Sequence, residues 1–301
     1  MAIALVVAVV LAVVSAVPTS GPHPGNMVGD GIRIGQGLAP VSTASPSATT
    51  PPAGTAGSTP TDTASVTAGS TPTASASSSP TDDSAAPAST VAIVVYYDYL
   101  CPLCAQFEKQ NATYIEGLVK SGAATIEFHP LATLTNQSLG SKYSQRAANA
   151  SACVATHSPK SFYAVTRALF AAQPAPNTSG PTDDQLVSLV RGVAGVSDPA
   201  KIATCIRKQT YQSWVVAATD RAVDGPLPGT SVKKVTTQPL VLVNGQRYPF
   251  TTPFRTSEFS QFVVTAAGNS YSGSATTTPT PSASATPSAT PTATATPTAT
   301  P

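Results

Sequence analysis

Cys101 and Cys104 stand two residues apart, with Pro102 and Leu103 between them, where an apolar run gives way to a helical pattern. Three chemistries suit such a pair: metal ligation, a structural staple, and thiol-disulfide exchange. A structural zinc site wants four ligands, usually including a second close pair. Here Cys153 and Cys205 are single, and His23, His129 and His157 show no ligand spacing. A staple across so short a loop gains little from closure. Exchange needs a partly exposed attacking thiolate and a second thiol near enough to resolve the mixed disulfide. A strand-to-helix junction supplies both, because the free N–H groups and the dipole at a helix N-terminus favour an anion at Cys101. Pro102 suits the first helical turn, and Cys104, one turn further in, is expected to be the more buried sulfur. Cys101 is thus read as nucleophile and Cys104 as resolver, with no organic cofactor and no metal implied.

The elements that must position this pair follow from periodicity. "VAIVVYYDYL" (91–100) is a near-continuous apolar and β-branched run, as expected of a central strand buried on both faces. From Pro102 to Gly122, Phe107, Tyr114, Ile115 and Leu118 share one helical face, and "AATIEFHPL" then alternates as a strand. A strand-helix-strand crossover results. Helical stretches come next: 139–157, then one capped by Ser158 with Pro159 at its first position, one with capping-box spacing from Thr182 to Gln185, one opening at Asp198-Pro199, and one over about 211–223. "QPLVLVNGQRYPF" (238–250) predicts a hairpin through Asn244-Gly245, and "TSEFSQFVVTAAG" a closing helix. The order is β-α-β, a helical block over about 135–225, then β-β-α: an α/β fold.

Around this domain, placed at 91–270, the composition shifts. Residues 2–17 form an unbroken apolar run, expected to be a signal peptide h-region or membrane anchor. Residues 18–90 are expected to be a Ser/Thr/Pro/Ala-rich flexible spacer with a possible edge strand near 31–35, and residues 271–301 a disordered tail of similar composition. The net charge of +2 with 10% charged residues provides no basic stripe for nucleic acid.

Export recasts the cysteines, since four of them outside the cytosol can form two disulfides. Cys153 and Cys205 both fall on apolar faces of the helical block; a bridge between them is the favoured reading, with two reduced buried thiols as the alternative. Asp98, three residues before Cys101, is either a proton acceptor for Cys104 or a polar strand end. His129 reads as structural, and the four N-x-Ser/Thr matches as chance in so Ser/Thr-rich a chain.

"YYDYLCPLC", the helical block between the two halves and "QPLVLVNG" together resemble the DsbA-like branch of the thioredoxin superfamily. The resemblance covers about residues 91–268, and "DGIRIG" resembles the short strand that precedes the core in secreted bacterial members. It implies a thioredoxin-like fold with a helical insertion, a cis peptide before Pro239 facing the cysteines and holding an extended substrate segment, and a second disulfide of the Cys153–Cys205 kind. It further implies introduction of disulfides into exported, unfolded proteins, with reoxidation by a membrane enzyme of the DsbB or vitamin K epoxide reductase type. Gln238 stands where relatives usually carry Thr or Val, and Leu103 where strongly oxidising members often carry His. A reductase or isomerase on the same fold, a redox-inert binding or chaperone module, and a cell-wall stalk built on the Thr/Pro segments are the competing readings.

Overall fold

The structure, a computed structural model, describes residues 21–41 and 90–274. The N-terminal apolar run, most of the spacer and the tail beyond 274 lie outside the described residues.

The centre is a six-stranded mixed sheet in the order β2-β1-β4-β3-β5-β6. Its strands are β1 (Ile32–Gly35), β2 (Ala39–Pro40), β3 (Val91–Asp98), β4 (Ala124–Leu131), β5 (Leu240–Val243) and β6 (Gln246–Arg247). β3 lies inside it, parallel to β4 over its full length and antiparallel to β5. Alternation along β3 sends Ile93, Val95 and Tyr97 to one face and Tyr96 to the other. The first face is covered by α1 (Pro102–Ser121) and α7 (Thr256–Ser274), which supply Phe107, Ile115, Phe259 and Val263 to a continuous core. On the other face a smaller cluster joins Tyr96, Leu131, Leu240 and Leu242 to Leu227 and Val235. α7 continues through Ser274, so its last turn includes residues expected to belong to the tail.

Between β4 and β5 lie five helices: α2 (Tyr143–His157), α3 (Phe162–Ala171), α4 (Asp183–Gly192), α5 (Pro199–Arg207) and α6 (Gln212–Asp224). The Thr182–Gln185 capping box forms at the start of α4. Ser158 does not cap a helix directly: a 3-10 turn over Pro159–Ser161 intervenes, and its hydroxyl accepts the Ser197 amide at 2.9 Å instead. A disulfide joins Cys153 of α2 to Cys205 of α5, with Cα atoms 5.9 Å apart.

β1 docks as an inner strand of the sheet, antiparallel to β4, and the two-residue β2, unforeseen from the sequence, forms the edge beyond it. Ile32 and Ile34 of β1 have no exposure. The preceding turn is fixed by Asp30, whose carboxylate accepts two 2.7 Å bonds from Arg221 and one of 3.1 Å from the Trp214 indole. Burial works to raise the Asp30 pKa, but these bonds hold it below the usual carboxylate range. Gly31 has to be glycine here, since a Cβ would stand 2.5 Å from His129 Nε2. His129 itself is buried, stacked on Tyr96 and bonded to Glu127 at 2.9 Å.

The Cys153–Cys205 bridge closes a loop across a sequence separation of 52. In the chain-entropy model a loop of that size stabilises by about 4 kcal/mol. Replacing both cysteines by Ala should lower the unfolding free energy by about that much, as read from urea denaturation, while leaving the Cys101–Cys104 pair titratable.

Candidate active site

Each part of the site is placed by an element end. β3 finishes at Asp98, Tyr99 and Leu100 turn the chain, and Cys101 is the N-cap of α1, with Pro102 at its first position and Gly122 closing it in the left-handed conformation (φ 82°). Cys101 and Cys104 are disulfide-bonded, Cα to Cα 5.2 Å. The Cys104 amide donates to Cys101 Sγ at 3.1 Å, so this sulfur takes the place of a capping oxygen. Cys101 is 5% exposed and Cys104 2%, less open than the sequence suggested for the first sulfur.

The turn before Cys101 is held from several sides. Asp98, without exposure, accepts the Leu100 amide at 2.8 Å on one oxygen and the Leu134 amide at 2.9 Å on the other. Burial pushes its carboxyl up, against the pull of those amides. The Cys101 amide in turn donates to the Asp98 carbonyl at 3.0 Å. Gln173, just past α3, donates to the carbonyls of Tyr99 (2.9 Å) and Cys101 (3.0 Å). Nothing in the sequence pattern marked Gln173.

Thr133 donates to Gln238 Oε1 at 3.1 Å, linking the loop after β4 to the segment before β5, where the Gln238-Pro239 peptide is cis. The Gln238 side-chain nitrogen is left without a hydrogen-bond partner among the described residues. Pro239, Cys104, Phe107, Phe170 and Glu108 all line one internal cavity of about 10 Å³, room for at most one water.

Glu108 is the group the sequence reading passed over. It follows Cys104 by four residues, so the two lie on the same face of α1. It is 8% exposed, and its Oε1 has no hydrogen-bond partner, the nearest cation being Arg167 Nε at 3.7 Å. Burial pushes its carboxyl up to about 7, against the Arg167 charge. A buried acid that titrates near neutrality beside the second sulfur can give or take a proton there.

Among the described residues, no group of three or more His, Cys, Asp or Glu side chains is placed to hold a metal ion. A bonded Cys-x-x-Cys pair capping the helix that follows the central strand of a thioredoxin-like sheet defines a thiol-disulfide oxidoreductase. The Thioredoxin family model matches residues 85–263, and the chain belongs to that family. In three dimensions it is similar to the reduced form of the disulfide bond oxidoreductase DsbG from Mycobacterium tuberculosis, at 28% identity and TM-score 0.48 over 63% of this chain and 86% of that one. Oxidised DsbA of the same organism is similar at 29% identity and TM-score 0.47 over 62% and 90%. In sequence the chain is 34% identical over 128 residues to the serine/threonine-protein kinase PknE of M. tuberculosis, which is 41% of this chain. The matched stretch spans 22% of the length of that curated relative.

Because the folded state favours protonated Glu108, its stabilising contribution is complete below pH 4.5 and is lost as the pH rises through about 7. Glu108→Gln, neutral throughout, should therefore gain on the wild type across that window and level off above it. The expected gain in unfolding free energy is up to about 3 kcal/mol, read from urea denaturation at a series of pH values.

Proposed function

We propose that this protein is an extracytoplasmic oxidoreductase that introduces disulfide bonds into exported proteins. The observation that carries this reading is the Cys104 amide aimed at Cys101 Sγ at the head of a 20-residue helix. When the disulfide opens, that donor and the helix N-terminus stabilise the Cys101 thiolate, which favours the reduced enzyme and makes the disulfide an oxidant. Export is supported by the apolar run over residues 2–17 and by the pairing of all four cysteines in two disulfides, which persist in oxidising compartments. Among the described residues no helix is long and apolar enough to cross a membrane.

The chemistry runs in two exchanges. A substrate thiolate attacks Cys101 Sγ, the bond to Cys104 breaks, and Cys104 leaves as a thiolate. Glu108, one turn further along α1, delivers the proton that quenches it. A second substrate thiolate attacks the substrate sulfur of the mixed disulfide, and Cys101 leaves as the stabilised thiolate. The substrate has lost two electrons and gained a disulfide; the enzyme holds both electrons as a dithiol. A membrane reoxidase of the DsbB or vitamin K epoxide reductase type takes them up.

Titration of the protein in glutathione buffers, with thiols trapped and located by mass spectrometry, tests this reading. A Cys101–Cys104 couple at ~−120 to −180 mV supports oxidation or isomerisation of substrates, and one near ~−270 mV would make the protein a reductant. In cells, Cys104→Ser should accumulate mixed disulfides through Cys101, because the resolving thiol is gone, whereas Cys101→Ser should form none. A Cys101→Ser variant with full activity in an envelope disulfide assay would leave only a binding module.

A further inference from the structure

Besides the small cavity behind Cys104, an open groove of about 630 Å³ runs between α1 and α3. Pro102, the residue after Cys101, is among the residues that line it. Its apolar lining comes from Ala105 and Ala112 of α1 and from Phe170 and Ala171 of α3, and Gln106 and Gln173 add polar side chains. The alanines leave the groove wide where they face it. Two cations stand along it. Lys109 is exposed and makes no ion pair among the described residues, and Arg167, 43% exposed, is shared between Glu116 at 2.7 Å and Glu108 at 3.7 Å. Glu108 also lines the groove, and its buried Oε1 is the oxygen left without a hydrogen bond. Its high pKa leaves it partly uncharged near neutrality, and Glu116 already engages Arg167, so Lys109 is the cation free to take a ligand carboxylate, with Arg167 beside it.

We propose that this groove holds the stretch of substrate polypeptide flanking the substrate cysteine, and that it selects small apolar side chains and a carboxylate that pairs with Lys109 and Arg167. The spacing follows from chain geometry. Lys109 lies eight residues along α1 from Cys101, about 12 Å at 1.5 Å per residue. An extended peptide bound at Cys101 covers that distance in about three to four residues. The selected carboxylate therefore sits three to four positions from the reacting cysteine, on the side of the peptide that enters the groove. This specificity rests on the exchange chemistry proposed above, and charge complementarity at a half-exposed rim acts mainly on the rate of encounter.

The test is stopped-flow reduction of the oxidised full-length protein by single-cysteine peptides with alanine flanks. Asp or Lys is placed three or four positions before or after the cysteine, and dithiothreitol serves as an uncharged reductant without flanks. On one side of the cysteine, the Asp peptides should react about fivefold faster than their Lys counterparts at low salt, the scale of one or two exposed ion pairs, and the difference should shrink in high salt. Lys109→Glu should abolish or reverse the preference while leaving the dithiothreitol rate unchanged, and Arg167→Gln should reduce it. Equal rates for Asp and Lys peptides on both sides, or a preference that survives Lys109→Glu, would overturn the proposal. Failure of dithiothreitol to open the Cys101–Cys104 bond would instead overturn the exchange reading beneath it.

Discussion

Asp98 carries a carboxylate with no contact with water at the end of a strand that is buried there on both faces. Leaving such a group unpaired costs several kcal/mol, so the chain around it is held to the positions that satisfy it (~1–3 kcal/mol per lost neutral partner, more for a charge). Its two oxygens take amides from Leu100, the residue before Cys101, and from Leu134, beyond the end of β4. Thr133, next to Leu134, passes the constraint on to Gln238, the residue before Pro239. Three segments far apart in the chain thus take their relative positions from one buried carboxyl group, and Gln173 fixes the same turn from the helical block.

Two buried acids stand near the cysteine pair, and their hydrogen bonds differ. Desolvation raises both. Asp98 accepts one backbone amide on each oxygen, whereas Glu108 has an oxygen without a hydrogen bond and an Arg167 guanidinium at 3.7 Å. An acid without fixed partners can change its protonation state without dismantling its surroundings, which suits it to proton transfer.

Much of this arrangement was legible in the sequence because it rests on periodicity and on local backbone rules. The β3 run, the junction at Cys101-Pro102, the capping box at Thr182 and the Asn244-Gly245 turn are signals carried within about ten residues, and the structure contains each of them. What escaped depends on packing between distant segments. Glu108 looks like any polar helix position until α3 covers it, and Gln173 like any loop glutamine until it reaches back to Tyr99 and Cys101. Ser158 had the right type for a cap, but a proline-led turn and the Ser197 backbone claimed its hydroxyl. For β1, hydropathy suggested a strand, yet only its pairing with β4 reveals an inner place in the sheet.

That inner place sets an order of assembly. Arg33 and Glu127, paired across β1 and β4, are 94 residues apart in the chain. β1 is therefore synthesised early and completed late: Ile32 and Ile34 have no sheet to enter until β3, α1 and β4 have come together. Long-range pairings of this kind bear a loop-closure cost before they return any contact energy, and by that cost alone the β1–β4 pairing follows the nearer β3–β4 pair and precedes the more distant β3–β5 pair. Until then the active-site half of the molecule stands without the strand that covers one edge of β4.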